Sequence, residues 1–284
     1  MVPPLLRACP SPSFAPSYAP SNCRFWYKTW ACSLRPHARA GVNAYYNRLV
    51  PVSRRELLAS AAALKLRAEP ARPLKIVVAG GHPGDPECGC AGTIACYTAL
   101  GHSVTLLYLN RGEGFCGGAA LSRCAAIRTA EAETACRILK ARAAFAAQYD
   151  GRAVVDSPRY EDFARLLAAE SPDVVFTQWP IDRHRDHRAV SMLTLDAWLS
   201  GGRGFALYYY EVAGDTMMFS PGDHVDISKV EALRRGACFA HRSQQPEKWY
   251  PKQVEITRFR GVESGLAQAE AFLRHPESRP GLLP

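Results

Sequence analysis

From Lys75 onward the chain alternates between two hydrophobic patterns. Short apolar runs at Ile76-Val77-Val78-Ala79, Val104–Leu109, Ala143–Gln148, Val174-Val175-Phe176 and Phe205–Tyr210 predict strands buried on both faces. Between them, helical spacing runs over Cys88–Leu100, Ala119–Leu139, Tyr160–Ala169 and Arg188–Leu199, and Gly101 stops the first of these. The C-terminal third predicts a short segment around His224–Ile227 and helices near Lys229–His241 and Val262–Arg274. Strands alternating with helices imply βαβ units. The expected fold is therefore α/β: a single Rossmann-like domain over 73–284, with a mainly parallel sheet and helices on both faces. In Tyr208-Tyr209-Tyr210, two rings are expected in the core and one at a rim.

The first 72 residues follow neither pattern. They hold 11 of the 35 Lys and Arg and 2 of the 26 acidic side chains, and so carry the whole net charge of +9. The remaining 212 residues are charge-balanced, which argues against nucleic-acid binding. Residues 1–72 read as a disordered basic leader. Within it, Ser53-Arg54-Arg55 followed by Leu57-Leu58 and Ala-rich sequence is similar to a twin-arginine export signal. The expected location is cytoplasmic, or exported if that segment is a signal. No run of about 18 apolar residues exists, so no transmembrane helix is expected. Seven irregularly spaced Cys in the body suggest mainly reduced thiols.

Two polar clusters fall just after strands, where open α/β sheets bind ligands. One is Gly81-His82-Pro83-Gly84-Asp85-Pro86-Glu87, the other Asp182-Arg183-His184-Arg185-Asp186-His187. His82, Asp85 and His187 offer two imidazoles and a carboxylate, a set that suits catalytic zinc and leaves one position open. His184 and His187, three apart at a helix start, share a face. Gly80, Gly81 and Gly84 do not have dinucleotide-binding spacing.

These clusters resemble the PIG-L/LmbE-like N-acetylglucosaminyl deacetylases, over roughly Leu74–Arg274. The family's His-Pro-Asp-Asp with a following Glu is matched by His82–Glu87, and its His-x-Asp-His by His184–His187. Arg111–Gly114, Arg128–Glu131 and His241–Gln244 are supporting matches. The resemblance implies that His82, Asp85 and His187 bind Zn2+ or another divalent ion. It implies that His184 stabilises the oxyanion or protonates the amine, with Asp186 orienting it, and that Arg128, Asp150 and His241 contact the sugar. The implied substrate is a small N-acetylated amino sugar or its conjugate.

One position departs from the family. Its usual general-base Asp is Gly84 here. Three readings remain open: Glu87 reaches the water, the zinc-bound water needs no base beyond His184, or the protein binds metal and sugar with weak or no catalysis.

Overall fold

The computed structural model describes residues 72–284. The leader and the twin-arginine-like segment lie outside the described residues. Seven strands form one sheet: β1 (Lys75–Gly80), β2 (Ser103–Tyr108), β3 (Arg142–Phe145), β4 (Val174–Gln178), β5 (Ala206–Tyr210), β6 (Asp223–Asp226) and β7 (Ala269–Arg274). Six helices accompany them: α1 (Asp85–Ala99), α2 (Leu121–Leu139), α3 (Ser157–Glu170), α4 (Arg185–Ser200), α5 (Glu231–Ala240) and α6 (Pro246–Ser264). The strand order is β3-β2-β1-β4-β5-β7-β6. The first five strands are parallel, and β7 runs antiparallel to both β5 and β6.

The period-2 rule explains the two cores. Ile76, Val78, Leu106, Phe176, Tyr208 and Tyr210 face one layer, under α1, α2 and α5. Val77, Ala79, Leu107, Val175, Leu207 and Tyr209 face the other, under α3 and α4. All three consecutive tyrosines are buried, so the expected rim position does not exist. They lie on β5, which is covered on both faces.

The C-terminal expectation is corrected. Val262–Arg274 is not one helix. Gly265, at φ 73°, ends α6, and Ala269–Arg274 is the strand between β5 and β6. Ala, Glu and Leu favour helix, but pairing on both edges overrides that preference. The preceding α6, absent from the sequence reading, begins at Pro246 in the first helical turn, where its missing N–H costs nothing.

The thiol expectation is corrected at one pair. Cys116 and Cys124 are disulfide-bonded, because the loop after β2 folds back onto the first turn of α2. Cys88, Cys90, Cys96, Cys136 and Cys238 are free.

Candidate metal centre

The chain leaves β1 towards β2 on one side and leaves β4 towards β5 on the other, so the strand order reverses between β1 and β4. Loops diverge at such a point and open a crevice beyond the carboxyl ends of the strands. Both His/Asp clusters hang over it. Gly81 lets the loop pass close to the site: a Cβ would stand 3.0 Å from His187 Cδ2 and 3.3 Å from Asp85 Oδ2, and those side chains would have to shift by a few tenths of an ångström. Its N–H donates to Gln178 Oε1 (2.8 Å) at the end of β4, tying the two loops together.

Asp85 opens α1, and its Oδ2 lies 3.0 Å from His82 Nδ1 and 3.1 Å from His187 Nε2. One Asp85 oxygen thus contacts imidazoles from two distant stretches of chain. The opposite nitrogen of each ring is already engaged. His82 Nε2–H donates to Asp150 Oδ1 (3.0 Å) and Asp186 Oδ2 (3.2 Å). His187 Nδ1–H donates to Asp182 Oδ1 (3.0 Å). Carboxylates behind imidazoles fix the tautomer and strengthen the ring as a metal ligand. Among the described residues, the groups whose donor atoms all lie within 4.8 Å of one another are His82, His184 and His187, and His82, Asp150 and Asp186; His82, Asp85 and His187 together are not such a group, although Asp85 contacts both rings. The hydrogen bonds on the outer nitrogens favour the Asp85 side of His82 as the open one.

Charge supports the same reading. Burial opposes protonation of His82, but Asp85, Asp150 and Asp186 outweigh it and hold the ring well above the usual imidazole range. Burial likewise opposes charge on His187, and Asp85 and Asp182 raise it to about 9. Four carboxylates around two rings create a site that stabilises positive charge. The donor set and this field both fit a divalent cation.

Several expected roles move. Asp186 does not orient His184 with its carboxylate. Its Oδ2 accepts from His82, Asn110 Nδ2 (3.0 Å) and the Gly151 N–H (2.7 Å), while only its backbone N–H reaches His184 Nδ1 (3.2 Å). Because His184 Nδ1 accepts, its proton belongs on Nε2. Burial lowers the His184 pKa, and His82 and His187 lower it further, which outweighs the upward pull of Asp85 and Asp186. Arg128 lines the crevice but spends its terminal nitrogens on Gly112 O (2.9 Å) and Pro83 O (2.7 Å). Asp150 holds His82 with one oxygen and the Gly114 N–H with the other (3.0 Å).

Glu87 is not at the crevice. It is fully buried, and Oε1 accepts from Tyr108 OH (2.6 Å) and His241 Nε2–H (2.9 Å). Its Oε2 accepts the Gly84 N–H (3.0 Å), capping α1. The carboxylate has no route to a water beside Asp85. His241 does border open space, in a cavity of about 250 Å3 with Gly84, Asp85 and Trp249. A second cavity of about 440 Å3 holds His82, His184 and His187, and the two share Asp85, Arg128, Asp215 and Gln244.

Two residues escaped the sequence reading. Asp182 was visible as the first residue of its cluster, two before His184, but nothing in the spacing told it from a surface acid. Asp215 lies on the loop after β5, outside any motif. Its carboxyl borders both cavities and has no hydrogen-bond or ion-pair partner among the described residues, and burial raises its pKa.

The GlcNAc-PI de-N-acetylase (PIG-L) family profile matches residues 77–198, the stretch that carries both clusters. A conserved protein from Thermus thermophilus is 30% identical, with 73% of this chain and all of that one covered and a TM-score of 0.63. The chain belongs to the PIG-L family. The fold is also that of the N,N'-diacetylchitobiose deacetylase of Pyrococcus horikoshii (24% identity, TM-score 0.65, covering 79% of this chain and 93% of that one). It is shared too by a 4-carboxy-2-hydroxymuconate hydratase of Pseudomonas putida (20% identity, TM-score 0.61, 74% and 100% covered). The shared fold is thus found in proteins described by different reactions, and the chemistry must be argued from the site.

Proposed function

We propose that the protein is a zinc-dependent amide hydrolase that removes acetyl from an N-acetylated amino sugar or a conjugate of one. PIG-L membership supports the class of reaction. The observation that carries the metal is the approach of Asp85 Oδ2 to within 3.0 Å of His82 Nδ1 and 3.1 Å of His187 Nε2. His82, Asp85 and His187 would hold the ion, with Asp182 behind His187 and with Asp150 and Asp186 behind His82. A bound divalent ion would polarise the amide carbonyl and acidify water. His184, its Nδ1 occupied, offers Nε2–H as a donor to the carbonyl oxygen as charge develops there. Asp150 and Arg128 wall the larger cavity, where the sugar would lie.

The test is acetate release from N-acetylglucosamine derivatives by protein stripped with a chelator and then reloaded. Metal-dependent release, abolished by His187→Ala, is the expected result. No release from any reloaded sample contradicts it. Gly84 favours a second reading, a metal- and sugar-binding protein with little turnover. Saturable sugar binding without acetate release would select that reading.

A further inference from the structure

Gly84 removes the carboxylate with which the resemblance supplies a proton acceptor, and Glu87 is sealed away from the crevice. A different group faces the same place. A Cβ on Gly84 would meet the His241 ring, with Cγ at 3.7 Å and Nδ1 at 4.0 Å. A carboxylate there would reach His241 Nδ1, and without it that nitrogen has no hydrogen-bond partner. His241 is fully buried as a residue, yet it lines the cavity that also holds Gly84, Asp85 and Asp215.

The hydrogen bonds assign its proton. Glu87 Oε1 accepts from His241 Nε2, so in the neutral ring Nε2 carries the hydrogen and Nδ1 keeps its lone pair. Tyr108 OH and the Gly84 N–H hold Glu87 in turn. A buried carboxylate bonded to one imidazole nitrogen, with the other nitrogen unpartnered on a ring that lines a cavity, is an oriented base. We propose that His241, positioned by Glu87, is the proton acceptor of the hydrolysis. This rests on the function proposed above.

In the first step a water O–H bond breaks, and the proton goes to His241 Nδ1, directly or through one water molecule. The oxygen pair forms a C–O bond to the amide carbon, and the carbonyl π pair moves onto its oxygen. In the second step the oxyanion pair re-forms the C=O bond, the C–N bond breaks with its pair on nitrogen, and His241 Nδ1 returns the proton to that nitrogen. The products are the carboxylic acid and the amine, which then exchange a proton, and His241 is neutral again.

His241→Gln in the full chain keeps a donor for Glu87 and removes the acceptor that faces Gly84. The expected result is a kcat lower by about 10²–10⁴-fold with metal content unchanged. Nitrogen NMR of ring-labelled natural protein gives a readout independent of turnover, with the hydrogen of the neutral ring on Nε2 and Nδ1 bare. A protonated Nδ1 in the neutral ring overturns the proposal whatever the activity. So does a His241→Gln enzyme with natural turnover, and so does loss of turnover in Asp215→Asn but not in His241→Gln, which would give the role to Asp215. Absence of turnover in the metal-loaded natural protein is instead the failure of the proposed function.

Discussion

Asp182 is 2% exposed, and its oxygens accept from the His184 N–H (2.8 Å), His187 Nδ1–H (3.0 Å) and Thr216 OH (2.9 Å). One side chain thus sets the start of α4 and the direction of His187. Asp182→Asn should weaken metal binding about 10–100-fold while the protein stays folded. Competition with a chelator measures this, and unchanged affinity would show that His187 needs no anionic support. Cys88 makes a contrasting prediction. It borders the smaller cavity, but burial pushes its thiol up to about 12. Reactivity follows the thiolate fraction, so at pH 8 its alkylation should be roughly 10³-fold slower than that of a free cysteine. Rapid labelling of Cys88 would contradict that burial. At this scale two motifs named His82, Asp85 and His187, and the structure places all three around one cavity. The sequence misassigned Asp186 and Glu87, because a spacing shows which residues are near but not which way a carboxylate turns.

The elements explain why those carboxylates turn as they do. Helix α1 is buried along most of its length, with Gly89 and Gly92 against neighbouring chain. A Cβ on Gly92 would sit 2.4 Å from Ile227 Cγ2, so Gly92→Ala must push α1 off the segment after β6. The expected loss is about 1–3 kcal/mol, read from the denaturant midpoint, and an unchanged midpoint would show that the helix has room to move. The Gly92 and Thr93 N–H groups also donate to the buried Glu270 of β7 (both 2.8 Å), which joins α1 to the antiparallel edge. Continuous apolar runs made the parallel strands legible, since β1, β2, β4 and β5 are buried on both faces, while β3 at the sheet edge is only partly buried. The last two strands were not legible as a pair. Ala-Glu-Ala-Phe-Leu-Arg has no strand signature, and its burial comes from β5 and β6 rather than from its own pattern.

Among the described residues, both cores and every candidate site residue lie within 74–283. A chain that begins at Arg72 is therefore expected to melt within a few degrees of the full chain and to bind metal equally. A large drop in Tm on removing 1–71 would give the leader a structural role. The site occupies the reversal of strand order between β1 and β4, and its chemistry is divided between the two loops that leave those strands. Neither loop holds a complete donor set, so metal binding reports on the fold as a whole.

X-ray absorption at the metal edge of the reloaded protein tests this division most directly. The account predicts one divalent ion per chain with two imidazoles and one carboxylate in its nearest shell, and loss of an imidazole signal in His82→Ala and in His187→Ala. An ion bound without imidazole, or less than half an equivalent in folded protein, would contradict it.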